Sequence, residues 1–193
     1  MVKRLFGIAL LNLLLLGATA FAQQPEAATG KSPAAATGKS PEAAIIKAEA
    51  ENSSRAFMNG DFGKLLDSTY PKLIELGGGR EKVLSLIEGQ MKEMRDEGMK
   101  IIAYTMGEPE PSVRAGAKLV AILPLKLRME SREYKMELSS FWLAVSTDEG
   151  KSWKFISGSS LNSDTLKLVL PEAVGKIKLP VVEQPSRERK PAN

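Results

Sequence analysis

The chain has 193 residues, a formal net charge of +4, and neither cysteine nor histidine. Without histidine it lacks the side chain that most often serves as a general base or a zinc ligand, which argues against a hydrolase triad and a transition-metal site. Without cysteine it forms no disulfide, so its core depends on packing alone. Residues 44–170 hold 18 basic and 18 acidic side chains, so we expect no basic face for nucleic acid.

Residues 1–22 have the composition of a bacterial-type secretory signal peptide. Lys3 and Arg4 precede an apolar run that ends in the small-x-small sequence Ala20-Phe21-Ala22. We therefore predict cleavage after Ala22 and a periplasmic or secreted location. A membrane anchor is the alternative, but a run of about 17 apolar residues is short for a span and no basic stop-transfer cluster follows it. No membrane span is expected after cleavage.

Two low-complexity segments flank a single predicted domain at residues 44–179. Residues 23–43 contain the heptapeptide Ala-Ala-Thr-Gly-Lys-Ser-Pro twice and no large apolar side chain, so they are predicted to form a disordered spacer. The Gly-Lys-Ser triplets lack the upstream glycine and the preceding strand of a phosphate-binding loop. Residues 180–193 contain three prolines and a charged run and are predicted to be a flexible tail.

The first half of the domain has the apolar spacing of two amphipathic helices. The first stripe, at i, i+4, i+7 and i+11, consists of Ile46, Ala50, Ser53 and Phe57. Gly60 suits the C-terminal cap of that helix, and Asp61 is suited to cap a short following helix. The second and clearer stripe follows three consecutive glycines and consists of Val83, Ile87, Met91 and Met94.

In the second half of the domain the apolar period changes from 3.6 to 2, which predicts a sheet. Every odd position of residues 117–129 is apolar, and Pro124 predicts an edge position or a bulge in that strand. In the next strand the apolar positions change parity, which predicts a bulge or a sharp bend at Ser139-Ser140. A tight connection at 148–150 predicts a hairpin with a final strand at 153–157.

Helices followed by long, bent antiparallel strands predict an α+β fold with the helices on one concave sheet face. The chain resembles the nuclear transport factor 2-like superfamily of SnoaL-like proteins and ketosteroid isomerases. The resemblance depends on the first helix leading into residues 59–62, the helix after 77–79 and the hairpin 140–156. It covers about residues 44–160 and implies a cone-like, cystatin-like roll. Residues 166–182 lie outside it and contain a candidate edge strand.

The resemblance also implies a site, because catalytic members of the superfamily hold a carboxylate base and an acidic hydrogen-bond donor in the cone. The candidates in this chain are two carboxylates and three phenols: Asp61, Asp67, Tyr70, Tyr104 and Tyr134. Each also has a structural interpretation, as a helix cap, a solvated turn residue or part of a half-buried sheet. No local motif chooses between these interpretations, so no catalytic residue is assigned.

Two further motifs have local explanations. Residues 146–153 match the Asp-box pattern S-x-D-x-G-x-x-W, but a propeller would repeat it in each blade and this chain has one copy. We interpret it as hairpin chemistry. The sequence Glu108-Pro109-Glu110-Pro111 provides too few oxygens for calcium and is interpreted as a solvated loop. No metal and no cofactor are expected.

The leading hypothesis is an exported, non-catalytic module that binds a small apolar ligand or a protein partner at the mouth of the cone. The candidate pocket residues are Phe57, Tyr70, Met91, Tyr104 and Trp142. One alternative is a SnoaL-type isomerase or cyclase that uses a buried carboxylate and a tyrosine, and another is a homodimeric scaffold. An ionisable side chain at the closed end of an apolar pocket would favour the enzyme.

Overall fold

The computed structural model describes residues 40–182 and 184–191. The predicted signal peptide and residues 23–39 of the predicted spacer lie outside this part of the chain. The first half of the described chain consists of helices α1 (Pro41–Met58), α2 (Phe62–Ser68), α3 (Pro71–Leu76) and α4 (Arg80–Asp96). The strands are β1 (Lys100–Met106), β2 (Val113–Ala115), β3 (Lys118–Glu130), β4 (Tyr134–Ser146), β5 (Lys154–Ser157) and β6 (Ser186–Arg189). Between β5 and β6 lie α5 (Ser163–Val169) and short 3-10 turns at Gly158–Ser160 and Pro171–Ala173.

The described strands form one antiparallel sheet with the order β1-β3-β4-β5. Strand β2 shares the outer edge of β3 with β1, and β6 shares the outer edge of β4 with β5. The sheet is strongly curled into a half-barrel, and the N-terminal helices pack against it. The predicted α+β class is confirmed.

Helix α1 begins inside the segment that was predicted to be a spacer. Ser40 is its N-cap, and the Ser40 hydroxyl accepts a hydrogen bond from the Ala43 amide at 3.1 Å. Pro41 occupies the first helical turn, where the missing N–H has no intrahelical role. The Ser-Pro end of the second heptapeptide is therefore a helix start. The next helix, α2, is capped by Asp61 as predicted, through the Lys64 amide at 3.1 Å.

Strands β3 and β4 pair without a register shift from Leu119 opposite Ser146 to Glu130 opposite Lys135. Of the two features predicted at Ser139-Ser140, a bulge or a sharp bend, the bulge is therefore wrong. The parity of the apolar residues changes because the second half of β4 is buried on both faces. One core cluster takes Trp142 and Ala144, and the other takes Phe141, Leu143 and Val145.

A register shift lies in β1 instead. The pairing of β1 with β3 is irregular between Ile101 and Ala103, and Ile102 is left 43% exposed. An extra residue reverses the alternation of side chains along a strand. As a result Ile101 and Tyr104 both join the core cluster on the concave face, although their positions have opposite parity.

Pro124 lies in the inner strand β3, but its nitrogen, which carries no hydrogen to donate, faces a stretch of the β3 edge that has no regular partner strand. The Pro124 carbonyl accepts a hydrogen bond from the Gly107 amide at 2.8 Å, just beyond the end of β1 at Met106. The N and O atoms of a strand residue point to the same side. The proline therefore occupies the gap between β1 and β2, where β3 has no regular partner.

The candidate edge strand within residues 166–182 is not present, because its first residues form helix α5. Asn162 caps this helix in a reciprocal capping box with Thr165. The buried side chains Leu166, Val169, Leu170 and Ala173 follow the i, i+3, i+4, i+7 spacing of a helical face. They cover the sheet face opposite to α1.

The predicted flexible tail differs from the structure over residues 186–189, which form β6. This strand pairs with residues 134–137 of β4, and its four side chains are exposed. The Lys190 Nζ atom also lies 2.8 Å from Glu130 Oε2. The backbone groups of the open β4 edge provide this pairing, so neither side-chain burial nor alternation in the sequence indicates it.

The Asp-box-like turn joins β4 to β5 and contacts α1. The Asp148 carboxylate accepts hydrogen bonds from the Ser152 hydroxyl at 2.6 Å, the Ser152 amide at 2.9 Å and the Ser146 hydroxyl at 2.7 Å. These bonds lower the pKa of Asp148 to about 2, and the bond from the Ser152 hydroxyl has the largest effect. Trp153 is buried, and its amide donates to Glu49 Oε2 at 2.7 Å. The motif is thus a structural turn.

We predict that Asp148→Asn lowers the melting temperature at pH 7 and reduces its pH dependence below pH 4. The pKa of Asp148 is lower in the folded protein than in the unfolded chain, where it is about 3.9. The ionised carboxylate therefore stabilises the fold above about pH 3.9, and this stabilisation is lost as the pH falls toward about 2. Thermal unfolding followed by circular dichroism from pH 2 to 7 measures both effects. Glu88→Gln on the exposed side of α4 is the control. Identical pH profiles for Asp148→Asn and the wild type would contradict this.

A second prediction concerns Gly158, which lies against β4. A Cβ atom there would lie 2.6 Å from the ring and the carbonyl oxygen of Phe141, so Gly158→Ala should lower the free energy of unfolding by about 1–3 kcal/mol. Gly89→Ala is the matched control, since its Cβ meets nothing within 4 Å and should stabilise α4 by up to about 1 kcal/mol. Urea unfolding measures both. Equal stability of the two variants would refute the close packing at Gly158.

Candidate functional site

A cavity of about 610 Å³ lies between the sheet and the N-terminal helices. Helices α1, α2, α3 and α4 and strands β1, β3, β4 and β5 contribute to its wall. Its most buried apolar side chains, each at most 9% exposed, are Leu66, Leu73, Val83, Leu127, Met129, Trp142 and Phe155. Small-molecule sites usually have volumes of roughly 300–1,000 Å³ and mostly apolar walls. The cavity has the size and the lining of such a site.

A row of aromatic rings connects the helices to the sheet along this wall. The ring centroids of Phe57 and Tyr104 are 5.9 Å apart at 85°, those of Tyr104 and Trp142 are 6.0 Å apart, and those of Trp142 and Phe155 are 5.3 Å apart. Phe62 extends the row on the other side of Phe57, at 5.8 Å. Such pairs each contribute about 0.5–1.5 kcal/mol beyond burial, so the row holds one side of the cavity in a fixed shape.

Tyr104 is the only residue with an acidic or basic side chain among the described residues that line the cavity. Burial raises the pKa of its phenol well above the usual range, so the hydroxyl stays protonated at physiological pH. No described residue makes a hydrogen bond to it, and no fully buried polar side-chain atom in this part of the chain lacks a partner. The Tyr104 hydroxyl therefore retains access to the cavity.

The other polar groups near the helices are satisfied within the wall. The Ser53 and Ser68 hydroxyls lie 2.6 Å apart, and the Ser68 hydroxyl donates to the Leu65 carbonyl at 2.8 Å. The Thr69 hydroxyl donates to the same carbonyl at 3.0 Å. These groups hold α1 and α2 together, and Tyr104 carries the hydroxyl that is left for a ligand in this region.

The mouth of the cavity combines polar and apolar side chains, and none of its described residues is charged. It is formed by serine-rich residues after β5 and by the segment that leads into β6: Ser157, Ser159, Ser160, Asn162, Ser163, Leu179, Pro180, Val181, Val182, Gln184 and Pro185. The Ser157 and Ser159 hydroxyls lie 2.9 Å apart, and Val181 is 87% exposed. The pairing of β6 with β4 holds the C-terminal segment at this mouth.

The structure brings most of the predicted pocket residues together. Phe57, Met91, Tyr104 and Trp142 all line the cavity. Tyr70 does not, because it is buried in the core cluster on the opposite face of the sheet, where its hydroxyl neighbours Lys118. Its position just before α3 fixes this direction, since its amide donates to the carbonyl of Phe155 in β5 at 3.0 Å.

The two carboxylates considered as catalytic candidates lie outside the cavity. Asp61 caps α2 and its carboxylate is 2.8 Å from Lys64 Nζ, and Asp67 is paired with Arg80 Nη2 at 2.8 Å. Tyr134, at the start of β4, is also outside the lining. No Asp or Glu side chain of the described residues lines the cavity. An acid–base pair of the kind that an isomerase needs is therefore not assembled from these candidates.

The sequence does not predict the mouth of the cavity. No regular period runs through its residues, which extend from the end of the predicted final strand at Ser157 into the predicted tail. The apolar residues Leu179, Val181 and Val182 were the available signal, since a solvated tail rarely concentrates such side chains. Their partner surface belongs to strands that are distant in sequence.

The acidic loop after β1 forms no metal site. Glu108 Oε1 pairs with Lys47 Nζ at 2.7 Å. Over residues 40–182 and 184–191, no group of three or more acidic, histidine or cysteine side chains is arranged to hold a metal ion. The wall of the cavity is therefore the feature from which function can be inferred.

Comparison with protein-family models, curated proteins and solved structures finds no match for this chain. Within the part that the structure describes, no helix combines the length and apolar composition needed to cross a bilayer. The function must therefore be inferred from the cavity itself.

We predict that Tyr104→Phe changes the free energy of unfolding by less than about 0.5 kcal/mol, because no described residue forms a hydrogen bond with the hydroxyl. Ser53→Ala should lower it by about 1 kcal/mol, because it removes the buried bond to Ser68. Urea unfolding of both variants provides the comparison. A loss above 1 kcal/mol for Tyr104→Phe would show that its hydroxyl is bonded inside the wall.

Proposed function

We propose that this chain is an exported, non-catalytic binding protein whose ligand is a small apolar molecule held in the half-barrel. The observation that carries the proposal is a cavity of about 610 Å³ with a mainly apolar wall and no described carboxylate. Removing apolar surface from water would supply the affinity, at about 25 cal/mol per Å². The row of aromatic rings offers flat surfaces against which a ring or a hydrocarbon chain can pack.

The half-barrel leaves apolar surface uncovered that packing could otherwise bury. Interiors are normally packed to the density of organic crystals, and apolar surface that stays in contact with water forgoes about 25 cal/mol per Å². The sheet and helices nevertheless leave the space between α4 and β3 open to the mouth. A ligand that covers this apolar surface would remove it from water, which supports a binding role.

The isomerase alternative has less support, because the neutral Tyr104 hydroxyl has no carboxylate beside it in the described lining. The homodimeric alternative stays a prediction, which light scattering at micromolar concentration tests. Export by the signal peptide and the resemblance to the nuclear transport factor 2-like superfamily also stay predictions. A protein partner at the mouth would compete with the small ligand.

Binding of N-phenyl-1-naphthylamine, a neutral apolar fluorophore, tests the proposal. We expect a saturable fluorescence increase with one site per chain. Ile87→Trp should weaken it at least tenfold, because Ile87 on α4 lines the cavity and the larger side chain would fill it. Leu86→Trp, on the same helix but 42% exposed and outside the lining, should bind as the wild type does.

Absence of saturable binding to the folded wild type would remove the proposed function. Equal binding by Ile87→Trp and the wild type would place the fluorophore outside the cavity and would also contradict the proposal. Circular dichroism of both variants establishes that the comparison is made between folded proteins.

A further inference from the structure

The charge of the cavity wall restricts the chemical class of its ligand. We infer that the cavity selects uncharged amphipathic molecules, such as a long-chain alcohol or amide, and rejects the corresponding carboxylates. This inference rests on the proposed function. Such a ligand has a hydrocarbon body and a neutral group that forms hydrogen bonds. The inference depends on three features of the described residues, namely the wall, the polar positions and the nearby helix terminus.

The first feature is the absence of a cation in the wall. No lysine or arginine of the described residues lines the cavity. Three cations on neighbouring segments are engaged elsewhere: Lys64 pairs with Asp61, Arg80 pairs with Asp67, and Lys154 Nζ donates to the Asp67 carbonyl at 2.6 Å. An ionised carboxylate that enters a low-dielectric site without a partner loses its hydration and gains nothing in return. It would bind only after taking up a proton.

The second feature is the type and place of the polar groups. Inside the cavity, the Tyr104 hydroxyl is available to donate to one oxygen of a ligand. At the mouth, Ser157, Ser159 and Gln184 present hydroxyl and amide groups close to water. Hydroxyls and amides both donate and accept hydrogen bonds. They therefore suit neutral groups such as an alcohol, an amide or a carbonyl.

The third feature is the N-terminus of α5 at the mouth. Its backbone amides do not substitute for a cation. The Asn162 side chain already accepts from the Asp164 and Thr165 amides, at 3.0 and 2.9 Å. The Asp164 carboxylate lies in the first turn of the helix and pairs with Lys167 Nζ at 3.1 Å. An anionic head group at the mouth would therefore meet amides that already have an acceptor, which favours a neutral head group there as well.

Displacement of N-phenyl-1-naphthylamine by decanol, decanamide and decanoate tests the inference on the full protein. Decanol and decanamide should displace the fluorophore at pH 7, and decanoate should be weaker by about a hundredfold. The displacement by decanoate should strengthen by about tenfold per pH unit as the pH falls toward the carboxyl pKa, because only the protonated acid enters.

The outcomes separate this inference from the proposed function. If the wild type does not bind the fluorophore, the proposed function fails. If the fluorophore binds and decanoate displaces it as well as decanol does at pH 7, the neutral selectivity is overturned and the binding function stands. If the fluorophore binds and neither neutral compound displaces it, the ligand class is likewise overturned.

A variant with a cation in the wall provides the complementary test. Gln90 lies on α4, is half-buried and lines the cavity, so Gln90→Lys should strengthen decanoate binding at pH 7 by at least about tenfold. Decanol binding should change by less than about threefold. Ser85→Lys adds the same charge on the exposed side of α4, outside the lining, and should leave decanoate binding unchanged. An equal gain in both lysine variants, or none in Gln90→Lys, would overturn the inference.

Discussion

The uninterrupted pairing of β3 with β4 is the constraint on which the rest of the structure depends. Every other described strand attaches to this ladder, β1 and β2 along β3, and β5 and β6 along β4. Long antiparallel strands twist, and a sheet built on them curls. The curled ladder packs against α1 on one face and against α5, with Leu73 of α3, on the opposite face. Both hydrophobic clusters, and the space between sheet and helices, follow from this arrangement.

The cavity exists because the helices cover the concave face unevenly. The Ile46 and Ala50 side chains of α1 share a cluster with the small residues Ala121 and Ala144, which let the helix approach the sheet closely. The Glu49 carboxylate fixes this end by accepting from the Trp153 amide. Helix α4 packs instead on α2 and α3 and faces the other end of the ladder across open space. The two ends of the same sheet face therefore differ: one packs against α1, and the other lines the cavity.

The register shift in β1 connects the fold to the chemistry of the site. With regular alternation, Ile101 and Tyr104 would lie on opposite faces of the sheet. The irregularity beside the exposed Ile102 places both on the cavity side and adds the Tyr104 phenol to a mainly apolar interior. Because no charged side chain of the described residues lines the wall, the phenol and the serine-rich mouth would determine which polar groups the proposed ligand can carry. The neutral character of the site thus depends on the placement of backbone as much as on composition.

The sequence by itself determined the type and order of most elements, because helical and strand periods are local properties of a few consecutive residues. The stripe of Val83, Ile87 and Met91, the alternation over 117–129 and the Asp61 cap needed no knowledge of the remaining chain. Tertiary structure alone decided the features that join distant segments: the register shift in β1, the exclusion of Tyr70 from the cavity and the pairing of β6. The parity change in β4 shows the physical reason. A bulge and a second buried face leave the same pattern in a strand, and only the position of α5 distinguishes them.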